Sequence, residues 1–238
     1  MLHVIVDIDD TILTAQEGSN ARTSAVMFRR IYGVNAHEDM IENKGKTELG
    51  IIREVLDHVT PRGITPEHEP RFFAVPKEAH EIWTQAAIQE FKERPPKVHP
   101  GIPELLSSLS QNPDIRLQLL SGNSTTRAEA KLVAASLDSF FRKPETGTLM
   151  GVFGEMAPRR SQLFEILKNQ LPSGDQVLII DDSLIGAEMA RDFSIPIVLV
   201  ATGTATVDQL RKFSPHVYPD FGENRWKEVG SIISKMAS

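Results

Sequence analysis

The ten residues from Val4 to Leu13, VIVDIDDTIL, pass abruptly from a β-branched apolar run into three aspartates and a threonine. A short, wholly apolar strand that ends in charge is typical of a parallel sheet, whose strands are covered on both faces. Three further runs have the same character: Ile115–Leu120 (IRLQLL), Val177–Ile180 (VLII) and Ile195–Val200 (IPIVLV). Helical patterns separate them. Ile102–Leu109 follows the start signal Pro100-Gly101, Arg127–Leu137 is Ala-rich and amphipathic, Ser161–Leu171 places Leu163, Phe164, Ile166, Leu167 and Leu171 at helical spacing, and Leu184–Arg191 follows the third run. A tail helix is expected over Arg225–Lys235, with Trp226 packing it down. Such alternation predicts an α/β fold with a Rossmann-like parallel sheet.

Residues 15–95 read differently. Helical stretches at Ala21–Tyr32, Leu49–His58 and Lys77–Glu93 are separated by polar or Pro-rich segments, with no clear buried strand. Phe72, Phe73 and Trp83 are expected to form a core there. Arg94-Pro95-Pro96-Lys97 reads as a hinge. The expected organisation is an α/β core of residues 1–14 and 96–238, with a smaller all-helical cap domain, 15–95, inserted after the first strand.

Composition narrows the function. The chain has 238 residues, 40% of them hydrophobic, no cysteine and a net charge of -6. Disulfide scaffolds, thiol nucleophiles, zinc–thiolate sites and iron–sulfur clusters are excluded. An acidic chain is a poor general nucleic-acid binder. No apolar run reaches the roughly 20 residues needed to span a bilayer. The N-terminus meets acid at Asp7, unlike a signal peptide. A cytoplasmic setting is expected, and oligomeric state is not legible.

Ligands collect beyond the carboxyl ends of parallel strands. There the first run carries Asp7, Asp9, Asp10 and Thr11, the second Ser121, Gly122 and Asn123, and the third Asp181, Asp182 and Ser183. Converging carboxylates raise one another's proton affinity unless a cation neutralises them. Oxygen-only ligands favour Mg²⁺, which usually keeps waters and bridges to a substrate phosphate. A carboxylate beside it can attack phosphorus, and a second, two residues along, can protonate the leaving oxygen and then activate water. Ser121 and the N–H groups of Gly122 and Asn123 can hold phosphoryl oxygens. The cation that offsets developing charge is expected from Arg160, with Arg159 and Lys143 as alternatives.

These segments resemble the haloacid dehalogenase (HAD) superfamily. VIVDIDDTIL resembles its first motif, LQLLSGNS its second, RRSQLFEIL its third and VLIIDDS its fourth, in the family's order, and the inserted helices resemble the cap of its phosphoglycolate phosphatase-like branch. The resemblance implies a nucleophile at Asp7, an acid–base at Asp9, phosphate contacts at Ser121 and Arg160, and a metal held by Asp7, the Asp9 carbonyl and Asp182, with Asp181 as a further metal-site residue. It implies Mg²⁺ as cofactor and a small phosphomonoester as substrate, with Thr11, Gly122, Asn123 and the cap residue Lys46 as further substrate contacts. Lys46 belongs to a loop, Lys44-Gly45-Lys46-Thr47, expected to reach over the site. A dehalogenase needs no second acid, so Asp9 speaks against one. A β-phosphoglucomutase-like mutase would keep all these residues, and a low-turnover phospho-acceptor is a third reading. Two positions depart from the family: Asp181 stands where Gly is frequent, and Gly186 where a further Asp is frequent. His37, His58, His68, His80 and His99 lack metal-ligand spacing and are expected in surface or capping roles.

Overall fold

The computed structural model describes residues 1–237. β1 (Leu2–Val6) is followed by a short β2 (Leu13–Thr14), which pairs antiparallel with β3 (Lys97–Val98). Between these two strands run α1 (Ser19–Met27), α2 (Glu48–Val59) and α3 (Lys77–Glu93). The chain continues through α4 (Ile102–Ser110), β4 (Ile115–Leu120), α5 (Thr125–Ala134), β5 (Gly151–Val152) and α6 (Arg160–Gln170). It ends with β6 (Gln176–Asp181), α7 (Leu184–Asp192), β7 (Ile197–Val200), α8 (Val207–Leu210), β8 (Val217–Tyr218) and α9 (Arg225–Ala237).

The main sheet has six strands in the order β5-β4-β1-β6-β7-β8, all parallel. β1 lies at its middle, which explains why all five of its residues are buried and four of them are apolar. Its pleat sends Leu2, Val4 and Val6 to one face, packed with α4, α5 and α9, and Ile5 to the other, packed with α6 and α7. The pairs β2–β3, β5 and β8 are two residues each and carry no periodic signal, which is why the sequence alone does not show them.

The segment between β2 and β3 is helical and builds its own apolar cluster from Met27, Phe28, Tyr32, Ile52, Val55 and Trp83. Phe72 joins it, whereas Phe73 is exposed. α1 passes into a turn of π-helix at Phe28–Tyr32, ended by Gly33 in the left-handed region. β2 and β3 bring the exit and re-entry of this insertion side by side, so it sits over the carboxyl ends of the sheet. Among the described residues no helix is long and apolar enough to cross a membrane.

Candidate active site

Asp7 follows β1, and its N–H donates to the Ile180 carbonyl of β6 (3.0 Å), which holds the ends of the two strands together. One oxygen each of Asp7, Asp181 and Asp182 lies within 4.8 Å of the others, and all three residues are buried. Arg160, the first residue of α6, reaches into this group. Its Nη2 lies 2.9 Å from Asp7 Oδ1 and 2.8 Å from Asp181 Oδ2, and it donates to the Leu120 carbonyl (3.1 Å). One guanidinium does not balance three carboxylates. Burial, with Asp181 and Asp9 adding to it and Arg160 opposing, pushes the Asp7 carboxyl up to about 7. Burial and the charges of Asp181, Asp7 and Asp10 push Asp182 up to about 9. The site is short of a cation.

Asp181 and Asp182 have different surroundings. Asp181 Oδ1 accepts from the Ser183 N–H (2.8 Å) and hydroxyl (2.7 Å), and its Oδ2 is taken by Arg160. Asp182 Oδ1 accepts from the Thr11 hydroxyl (2.9 Å). The Asp181 carboxylate lies directly against Gly186 of α7, where any Cβ would collide with it. The two departures noted in the sequence are therefore neighbours in space: the carboxylate at the strand end fills the room that a side chain at 186 would need.

Asp9 faces the other way, toward β4 and α5. The Asn123 Nδ2 donates to its Oδ2 (2.6 Å), and the Lys131 ammonium lies 2.5 Å from its Oδ1. Burial opposes ionisation there, but Lys131, Arg127 and Asn123 together hold the carboxyl below the usual range. Asn123 is itself set by Ser121, whose Oγ accepts from its N–H (3.2 Å) and Nδ2 (2.9 Å). Asp10 adopts a left-handed φ of 59°, which Asp tolerates better than most residues. This turn lets Asp10 accept from Thr14 and pair with Lys44 of the insertion at 2.5 Å.

A cavity of about 130 Å³ opens between these loops and the insertion, lined among others by Asp7, Asp9, Asn123, Arg160, Asp182 and Arg127. Gly122 lines it too, and a Cβ at that position would meet the Lys46 carbonyl. Of the expected substrate contacts, Lys46 borders the cavity, but its ammonium pairs with Glu54 of α2 (2.6 Å), so Lys44 is the lysine that reaches the aspartate loop. Thr11 is fully buried and spends its hydroxyl on Asp182. Ser121 is fully buried beneath Asn123. Arg159 is exposed and borders a separate cleft with Arg53 and Glu188. Lys143 lines another cleft with His3 and Arg116, near the amino ends of the strands.

The insertion is bonded to the phosphate-loop candidate through the start of α2. The first N–H groups of a helix have no partner within it. Here Glu48 N–H donates to the Gly122 carbonyl (2.6 Å), Leu49 N–H to the Gly154 carbonyl (3.2 Å), and Gly50 N–H to the Thr47 hydroxyl (3.1 Å). The Glu48 carboxylate is fully buried and accepts from Ser124 N–H (3.1 Å) and Arg127 (3.2 Å) of the core, and pairs with His80 of α3 (2.6 Å). The Arg127 guanidinium stacks on Trp83 at 4.1 Å. His80 thus belongs to a part-buried ionic cluster rather than to the surface. Arg127, Lys131, Glu38 and Glu48 have no motif to announce them. Their signal lies in α5, whose buried face reads Arg127, Ala128, Lys131, Leu132: two cations within an apolar stripe.

A six-stranded parallel sheet flanked by helices, with acids at the carboxyl ends of adjacent strands, defines a Rossmann-like α/β architecture. The chain belongs to the haloacid dehalogenase-like hydrolases, whose family model matches residues 1–193. No curated protein is matched by sequence at a significant level. Among solved structures it is similar to CbbY from Rhodobacter sphaeroides in complex with phosphate, at 16% identity and a TM-score of 0.65, over 93% of this chain and 95% of that one. It is also similar to a candidate β-phosphoglucomutase from Bacteroides vulgatus (17%, TM-score 0.60, 98% and 90%) and to a hydrolase from Pseudomonas syringae (15%, TM-score 0.60, 92% and 93%). At these identities the likeness is one of fold.

Proposed function

We propose that this protein is a Mg²⁺-dependent phosphomonoesterase that hydrolyses a small phosphate ester through an aspartyl-phosphate on Asp7, with residues 15–95 acting as a cap over an α/β core. The observation that carries this reading is the cation-deficient group of Asp7 and Asp182, with a second, oriented carboxylate two residues along the same loop. Burial and mutual repulsion raise the proton affinity of these carboxylates, a divalent cation would relieve both, and an all-oxygen donor set suits Mg²⁺. Asp7, Asp182 and the Asp9 backbone carbonyl would hold the ion. Asp181, with both oxygens already engaged, would brace the group by charge. When bound, Mg²⁺ would neutralise these carboxylates and draw charge from the phosphoryl oxygens.

Asp7 attacks phosphorus in line, forming the new P–O bond as the ester P–O bond breaks. Arg160 lies 2.9 Å from the nucleophile and is placed to offset charge on the phosphoryl group as it transfers. The entering phosphate raises the proton affinity of Asp9, which gives its proton to the leaving alkoxide. Asp9 then takes a proton from water as that water attacks the aspartyl-phosphate, releasing inorganic phosphate and restoring Asp7. Asn123 and the Gly122 N–H group face the cavity where phosphoryl oxygens would lie. The cavity of about 130 Å³ suits a small leaving group.

The test is release of phosphate from a panel of small phosphomonoesters, with and without Mg²⁺, wild type beside Asp7→Asn. Turnover that requires both the ion and Asp7 is the expected result. Turnover that persists in Asp7→Asn, or is indifferent to Mg²⁺, overturns the reading. Interconversion of sugar phosphate isomers in place of phosphate release would reassign the protein as a phosphomutase, which uses the same residues.

A further inference from the structure

Lys131 belongs to none of the segments that define the site, yet it is a fully buried charge beside it. Its side chain is 0% exposed, and its ammonium lies 2.5 Å from Asp9 Oδ1. The other oxygen of Asp9 is held at 2.6 Å by Asn123 Nδ2. Among the described residues, both hydrogen bonds to this carboxylate come from the core, one from the loop after β4 and one from α5, about two turns further on. The insertion spends its nearby lysines elsewhere, Lys44 on Asp10 and Lys46 on Glu54.

A buried ammonium is an expensive way to fill space. It gives up its hydration, and it stands one helical turn from a second buried cation, Arg127. A Met or Leu would serve the apolar stripe of α5 better. Placements of this kind cluster where a neighbouring group must be held for chemistry. The Asp9 side chain, by contrast, is 35% exposed and faces the cavity. A carboxylate so open has freedom to turn about its side-chain torsions, and Lys131 with Asn123 removes it.

Building on the phosphatase reading above, we propose that Lys131 is a positioning residue: together with Asn123 it clamps the Asp9 carboxylate toward the leaving-group oxygen, so that the acid–base is aimed by the core and is independent of the insertion. This makes α5 a part of the catalytic apparatus, and it predicts a loss confined to the step in which Asp9 moves a proton.

The experiment is single-turnover release of the alcohol from an alkyl ester, glycerol phosphate, and from p-nitrophenyl phosphate, at saturating Mg²⁺, with wild type, Lys131→Met, Lys131→Arg and Asp9→Asn. An alkoxide needs a proton to leave, whereas p-nitrophenolate leaves without one. General acid catalysis is worth about 10²–10⁴-fold. Lys131→Met is expected to lose about 10²-fold on the alkyl ester and less than about tenfold on the aryl ester, with KM changed little. Lys131→Arg should recover part of the alkyl rate, and adding Lys131→Met to Asp9→Asn should cost nothing further. Thermal melts monitor folding, and Lys131→Gln replaces Lys131→Met if the latter does not fold. Equal losses on both esters, no loss on either, or full additivity with Asp9→Asn would overturn the proposal. An inactive wild type would instead sink the phosphatase reading, and the role of Lys131 with it.

Discussion

At the residue scale, the Asp181 carboxylate and any side chain at Gly186 compete for one volume. The Asp181 side chain comes off the end of β6, accepts from Ser183 and Arg160, and lies where a Cβ at 186 would be. Gly186→Asp alone would therefore set two carboxylates on each other. It is expected to cost about 1–3 kcal/mol by overpacking, with like-charge repulsion added, and to weaken Mg²⁺ binding. The double exchange Asp181→Gly with Gly186→Asp should recover much of the loss. Thermal melts and Mg²⁺ titration of the three variants check this, and a single variant as stable as wild type would contradict it. Asp7→Asn offers a second check. It removes one of three crowded carboxylates, so the metal-free protein should melt higher than wild type at pH 8 while turnover disappears.

At the scale of elements, the start of α2 carries the contact between insertion and core. Its unpaired N–H groups find carbonyls at Gly122 and Gly154, and its first side chain, Glu48, pairs with Arg127 and His80. Removing one partner of a buried ion pair costs about 3–5 kcal/mol. Glu48→Gln keeps the shape and removes the charge, so about 3 kcal/mol is expected, a fall in Tm of about 10 °C for a chain of this size. The same change should raise KM for small phosphate esters, because the carboxylate that Ser124, Arg127 and His80 share loses its charge. An unchanged Tm would show that Arg127 finds compensation elsewhere. Little of this contact was legible beforehand. Lys77–Glu93 appeared as a helix with the bounds the structure gives it, because its apolar positions recur at helical spacing. His80 was expected in a surface or capping role, and Glu48 and Arg127 carried no signal of their own, because only their meeting in space makes them a buried cluster.

For the whole molecule, the crowding of acids ties stability to pH and to the metal. Asp7 and Asp182 hold protons in the folded, metal-free chain up to about 7 and about 9, against 3.8 for an ordinary aspartate. The folded state therefore binds more protons than the unfolded one between about pH 4 and pH 9, and stability must fall as pH rises through that window. Metal-free Tm is expected to decline from about pH 5 to pH 9. Mg²⁺ should restore it, most strongly at the alkaline end, where its ligands are already ionised. A flat metal-free profile would show that Arg160 alone balances the group.

The sequence by itself determined four of the six strands of the sheet and the loops that follow them. A buried parallel strand must be continuously apolar, and the first charged residues after it must lie at its carboxyl end, so Asp7, Asn123 and Asp182 could be assigned to one edge from the chain alone. It also determined helices close to α1, α2 and α3, since periodicity is a local property. The tertiary structure alone decided which charges meet. It turned Lys46 to Glu54 and brought Lys44 to Asp10, took Thr11 and Ser121 out of the cavity to orient their neighbours, and left Arg159 in solvent while Arg160 entered the acid cluster. Above all it buried Lys131 against Asp9 across 122 positions of chain. Pairings at that separation depend on how helices pack on the sheet, and no local pattern of residues encodes them.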